Sequence, residues 1–238
     1  MERQIKKEVF AAGLSIGLGL VILGLFLKNG IDNFKEKDRV VSVKGLSEKE
    51  VPADRVIWPL TFKEIGDDLL AMNANILKKN TTIVNYLKSN GIKDDEISVS
   101  APEIIDMRAE RYSSTPSAYR YNITSIVTVS SSKVDQIRKL MSGQNELIRQ
   151  GIAITGDDYR FQKQFLYTKL NSIKPGMIEE ATKNARASAL RFAQDSESKL
   201  GKIKTADQGQ FSISDRDANT PHIKTIRVVT TIDYYLED

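Results

Sequence analysis

Residues 9–27, VFAAGLSIGLGLVILGLFL, run without a charge. As a helix rising about 1.5 Å per residue, the segment would span roughly 28 Å, close to the hydrocarbon thickness of a bilayer. It is expected to cross a membrane once. Its Leu, Ile, Val and Phe residues each favour insertion by roughly 0.3–0.6 kcal/mol near the centre of a span. A cleaved signal peptide is the competing reading, because Arg3, Lys6 and Lys7 also make a positive n-region. Signal cores run about 7–15 residues and finish at a small-x-small site. This run finishes Leu25-Phe26-Leu27-Lys28-Asn29-Gly30, which favours an uncleaved anchor. Lys28, Lys35, Lys37 and Arg39 follow the run, so local charge leaves its orientation open. Gly13 and Gly17 have the G-x-x-x-G spacing of close helix dimers, although glycine is common in membrane helices generally.

The remainder is strongly polar and holds no second span, which implies a soluble body on one tether. The expected organisation is a short cytoplasmic N-terminus (1–8), the transmembrane signal anchor (9–27), a tether (28–38) and a folded part (39–238). Cysteine is absent, which excludes disulfides, thiolate metal sites and cysteine nucleophiles. The 35 basic and 31 acidic residues intersperse along the chain, so the formal charge of +4 gives no nucleic-acid footprint.

From residue 39 the hydrophobic period alternates between 2 and 3.6. Val41 and Val43 predict a short strand ending in a turn at Gly45. Val56, Trp58, Leu60 and Phe62 fall on one face of a second strand, and Pro59 inside it requires an edge or a bulge. Leu69, Leu70, Met72, Ile76, Leu77, Ile83, Val84 and Leu87 predict a helix over 67–90, capped by Asp67 and stopped at Gly91. Strands at 96–108 and 118–130 form a hairpin around the loop 112–117; in the second, Tyr119, Tyr121, Ile123, Val127 and Val129 share a face. One helix is expected over 133–149. A strand over 152–167 is interrupted at 156–158, with Phe161, Phe165 and Tyr167 on a common face. The longest helix of the folded part should open at Pro175 and run to Gly201, with Ala181, Ala185, Ala189 and Ala193 as a ridge that packs closely on a sheet. Strands at 202–213 and 223–236 flank the polar loop 214–221, and Ile226, Val228, Ile232, Tyr234 and Leu236 share a face of the last. The order ββαββαβαββ predicts an α+β domain whose largely antiparallel sheet is packed by helices.

Few residues suggest chemistry. His222 is the sole histidine, beside Pro221, and reads as a surface residue. Ser130-Ser131-Ser132-Lys133 matches S-x-x-K, but the companion motifs of serine acyl-enzymes are absent, and a strand end leading into a helix favours serine for structural reasons. Asp94-Asp95-Glu96, Asp157-Asp158 and Asp215-x-Asp217 lack the spacing of a calcium loop and read as acidic turns. No phosphate-loop pattern occurs. No catalytic, cofactor-binding or metal residue is therefore assigned, and the chain is expected not to be an enzyme.

Several segments in order resemble the SIMPL-domain family: Val41-Ser42-Val43-Lys44-Gly45, Val51-Pro52-Ala53-Asp54-Arg55, and Tyr86-Leu87-Lys88-Ser89-Asn90-Gly91-Ile92 followed by Asp95-Glu96-Ile97-Ser98. Glu180 to Ala189, and then Lys199-Leu200-Gly201-Lys202, resemble its alanine-rich helix and glycine stop. The resemblance covers roughly 39–238, interrupted by the polar insertion near 215–221. It implies a SIMPL-like α+β domain over 39–238, lying in the periplasm of a Gram-negative cell and held at the inner membrane. It further implies self-association and a protective or scaffolding role in envelope or oxidative stress, without established catalytic residues. The alternative is a monomeric envelope module that binds a ligand or protein partner.

Overall fold

The computed structural model describes residues 13–14, 16–28, 39–109, 118–156 and 159–237. Residues 13–14 and 16–28 are helical. Among the described residues no helix is long and apolar enough to cross a membrane. The anchor expected at 9–27 lies partly outside them, and the loop 112–117 and Asp157-Asp158 lie wholly outside.

Among its described residues the folded part contains nine strands: β1 (Val40–Pro52), β2 (Arg55–Gly66), β3 (Ile97–Val99), β4 (Glu103–Asp106), β5 (Tyr121–Ser131), β6 (Gln164–Leu166), β7 (Lys199–Gln208), β8 (Ser212–Asp215) and β9 (Ile223–Glu237). Its helices are α1 (Leu69–Ser89), α2 (Val134–Ser142), α3 (Asn145–Arg149) and α4 (Leu170–Asp195), with single 3-10 turns at Asp94–Glu96 and Tyr159–Phe161. This is an α+β fold with antiparallel pairing, but the strands form two sheets rather than one. The first has the order β1-β9-β7, with β8 also on β9; the second has the order β3-β5-β2-β6, with β4 also on β5. The chain divides into two compact units, Met1–Glu48 with Lys174–Ser212 and Arg227–Asp238, and Lys49–Ile173 with Ile213–Ile226.

In the second unit, β2 buries Val56, Trp58, Leu60 and Phe62 beside Ile123, Val127 and Val129 of β5, as their alternation predicts. Met72, Ile76, Ile83 and Leu87 of α1 close this core with Ile137, Leu147 and Phe165. Asn80 of α1 is buried among them and accepts a 3.0 Å hydrogen bond from the Ser125 hydroxyl of β5. Pro59 is tolerated because β6 reaches only Arg55–Ile57 along that side of β2, and the next contact is the isolated bridge Thr61–Thr155.

Several boundaries differ from expectation. The cap of α1 is Asp68, which accepts the N–H groups of Leu70 and Ala71 at 3.0 and 3.1 Å; Asp67 instead accepts the N–H of Arg120. Gly91 does adopt a left-handed conformation beyond α1, with φ +83°. The strand expected at 96–108 breaks into β3 and β4 around Pro102, which has no N–H for a ladder. The helix expected over 133–149 ends at Gly143, whose N–H returns to Lys139 and Leu140, before α3 begins. The strand expected over 152–167 shrinks to β6, where Phe165 alone is fully buried.

Helix α4 begins at Leu170, so Pro175 lies inside the helix rather than at its first turn. The helix stops at Asp195 rather than Gly201. Glu197 takes φ +53°, while the N–H groups of Ser198 and Glu197 bond Ala193 and Gln194, a Schellman ending built on a non-glycine residue. Gly201 lies within β7. Ala181, Ala185, Ala189 and Ala193 are buried, and Ala185 and Ala189 pack with Val43, Ile232 and Tyr234. The turn expected at Gly45 does not form: β1 continues through it, and a Cβ there would stand 1.9 Å from the Ala181 carbonyl oxygen. Glycine is needed for close approach to α4.

Candidate functional site

The S-x-x-K segment joins the end of β5 to the start of α2. Ser131, not Ser130, is the connected serine. Its hydroxyl donates to Glu96 Oε1 at 2.6 Å and accepts the Lys133 N–H at 3.0 Å. Lys133 Nζ donates to the Gly91 carbonyl at 2.9 Å and to Glu96 Oε2 at 3.2 Å. Burial pushes the Glu96 carboxyl up, but the Ser131 hydroxyl, the Lys93 N–H and Lys133 together outweigh it and hold the group below its ordinary value. Glu96 thus binds the Ser131 hydroxyl through one carboxylate oxygen and Lys133 Nζ through the other. The cluster ties the end of α1 to the start of α2.

His222 is half-buried rather than a simple surface residue, with its ring edge-on to Phe165 at 6.1 Å between centroids. Burial, then the charges of Arg138 and Arg216, lower its pKa, against the opposing pull of Asp135 and Asp217. In the preceding loop the Asp217 carboxylate accepts the Thr220 hydroxyl, Arg216 Nε at 3.1 Å, and the N–H groups of Asn219 and Thr220 at 2.8 Å each. These contacts, the Thr220 hydroxyl first and Arg216 next, bring its pKa down to about 2. Asp215 pairs with the buried Lys224, and Asp94 with Lys88. These carboxylates serve turns and ion pairs. Among the described residues no three His, Asp or Glu side chains gather as a metal-binding group. A shallow depression of about 420 Å³ beside α2 is lined by Asp135, Arg138, Lys139 and Ser142, a solvated helix face on which Arg138 pairs with Asp135 at 3.2 Å.

The strand edges form the remaining surface with directional chemistry. Edges β3, β4 and β6 are only three or four residues long. Edge β7 carries Lys199, Lys202 and Lys204 and two register irregularities between Leu200 and Thr205, devices that discourage further pairing. Edge β1 is thirteen residues long and alternates without interruption from Ser42 to Glu48: Val43, Gly45 and Ser47 are buried, while Ser42, Lys44, Leu46 and Glu48 are exposed. The Arg39 carbonyl accepts the Leu236 N–H of β9 at 2.9 Å, so odd-numbered backbone groups face β9 and even-numbered ones face outward. One outward group is capped from within: the Leu46 carbonyl accepts Asn184 Nδ2 at 2.8 Å. Periodicity marks β1 as a strand, but pairing alone shows that it is an edge.

The SIMPL family model, described as a protein of unknown function (DUF541), matches residues 41–231, from the start of β1 into β9. The chain is a SIMPL-domain protein. No curated protein matches it. Within this SIMPL domain, Val41–Gly45 lies in β1 against α4, Tyr86–Ile92 closes α1, and Glu180–Ala189 supplies the part of α4 that meets Gly45. The Lys199-Leu200-Gly201-Lys202 segment is the start of edge β7 rather than a helix stop.

Proposed function

We propose that this protein is a membrane-anchored, non-enzymatic SIMPL-domain protein of the cell envelope that self-associates, its domain in the periplasm. Its role is protective or scaffolding, in envelope or oxidative stress. The observation that carries self-association is the long β1 edge, whose outward backbone groups are unpaired by any other strand among the described residues. Such an edge is a template for another strand. The anchor reading is supported by the N-terminal helical segment, where Leu18, Leu20, Val21 and Phe26 are each more than half exposed. A helix apolar on every side requires cover that water does not supply. Tethering protomers to one membrane raises their effective concentration and makes weak contacts count. The periplasmic location and the stress role rest on family analogy.

The test is the mass of the full chain in detergent, by light scattering coupled to size exclusion, across a range of concentrations. A discrete multimer is expected. A monomer at every concentration would refute self-association and support the second reading, a monomeric envelope module that captures a ligand or protein partner.

A further inference from the structure

We infer that β1 pairs antiparallel with β1 of a second copy about a two-fold axis at Leu46, placing Lys44 of each copy opposite Glu48 of the other. The inference rests on the self-association reading and names the surface that would carry it.

Only even-numbered residues of β1 present N–H and C=O groups outward, so a second β1 must set even residues against even residues. That leaves few registers. With the axis at Gly45, Lys44 meets Leu46 and Ser42 meets Glu48, leaving the lysine without an opposite charge. With the axis at Ser47, Lys44 meets Glu50 but Leu46 meets Glu48. With the axis at Glu48, two glutamates oppose each other. The axis at Leu46 sets Leu46 against Leu46, Lys44 against Glu48 twice, and Ser42 against Glu50 at the rim, so the exposed sequence of this edge is complementary to itself.

The side chains fit that use. Leu46 is 40 % exposed on an otherwise polar edge. Lys44 and Glu48 are exposed, and neither makes an ion pair within the chain among the described residues. Glu50 is already paired with Arg216 at 3.4 Å, which confines the pairing to Lys44–Glu48 and leaves Glu50 at the margin. Asn184 holds one lone pair of the Leu46 carbonyl, and a carbonyl oxygen has a second for an incoming N–H. Isologous pairing of one patch with itself closes as a dimer and leaves β7 outermost at both ends of the joined sheet.

The cysteine-free chain makes the test direct. In full-length protein in detergent, Leu46→Cys should form a disulfide-linked dimer on mild oxidation, because opposed residues at the axis lie about 5.5 Å apart between Cα atoms, within disulfide reach. Ser42→Cys and Glu50→Cys should each fail alone and cross-link when mixed, since each lies roughly 27 Å from its own symmetry mate at about 3.4 Å per residue. Lys44→Glu should weaken association at least about tenfold by setting like charges opposite each other twice, and Lys44→Glu with Glu48→Lys should restore it. A wild-type multimer whose Leu46→Cys variant cross-links no better than Ser42→Cys would overturn the β1 interface and leave self-association standing. A wild-type chain that is monomeric throughout would overturn both.

Discussion

The close approach of α4 to β1 makes Gly45→Ala the most informative single change. A methyl group at Gly45 would stand 1.9 Å from the Ala181 carbonyl oxygen, 2.5 Å from the Ala185 nitrogen and 2.9 Å from the Ala181 carbonyl carbon. Non-bonded carbon contacts settle near about 3.5 Å, so strand and helix must part by more than about 1 Å. Backbone lies on both sides of the clash, and no rotamer change relieves it. Overpacking typically costs about 1–3 kcal/mol, and the upper end applies because separation also loosens the contacts of Ala185 and Ala189 with Val43, Ile232 and Tyr234. Replacing a strand glycine returns roughly 0.5–1 kcal/mol through the unfolded chain. The net loss is about 2 kcal/mol. At a urea m-value near 2 kcal/mol/M, the midpoint of the circular-dichroism transition at 222 nm should fall by about 1 M with its slope unchanged. Gly176→Ala is the internal control: the same addition in α4 meets nothing within 4 Å and should stabilise by about 0.5–1 kcal/mol. If Gly45→Ala unfolds at the wild-type urea concentration, the close approach is wrong.

Three further outcomes follow from the local geometry. Glu197→Gly should stabilise by about 1 kcal/mol, because Glu197 holds φ +53° at the end of α4 and glycine takes that conformation without steric penalty; a melting temperature at or below wild type would contradict it. Asp68→Ala should cost about 1 kcal/mol by uncapping α1, and Asp67→Ala, which loses the Arg120 N–H and an exposed 3.5 Å pairing with Arg108, should cost less; the reverse ranking in denaturant titrations would restore Asp67 as the cap. Acid should weaken the protein in two ranges. Folded His222 has a pKa below its ordinary 6.5 and resists protonation, so stability is lost as pH falls below that value. Folded Asp217 is lowered to about 2 from 3.8, so its contribution is present above 3.8 and disappears as pH falls toward 2. His222→Gln should flatten the upper range and Asp217→Asn the lower, measured as unfolding midpoint against pH.

Local periodicity carried far along this chain because burial on one side of an element leaves its period in the residues themselves. The alternation of Val56, Trp58, Leu60 and Phe62 and the four-residue spacing of Ala181 to Ala193 each required only neighbours in sequence, and those residues are buried; of the helical stripe from Leu69 to Leu87, Met72, Ile76, Ile83 and Leu87 are buried, whereas Leu69, Leu70 and Leu77 are exposed and Asn80 takes a buried place instead. Punctuation was less legible. Gly45, Gly143 and Pro175 are residues that often end elements, yet only Gly143 ends one. Gly45 continues a strand that a helix passes over, and Pro175 is carried within α4. The S-x-x-K spacing was visible, but its meaning depended on Glu96, whose carboxylate occupies both Ser131 and Lys133.

The sequence by itself determined the class of fold and most of the buried face of its longest strands and helices, since side-chain period and hydrophobic burial are properties of a single segment. The tertiary structure decided that the strands divide between two sheets, that β1 is an edge, and that its even-numbered backbone groups face outward. Pairing joins residues as distant as Arg39 and Leu236, and no local pattern records which partner a strand finds or which side it leaves open.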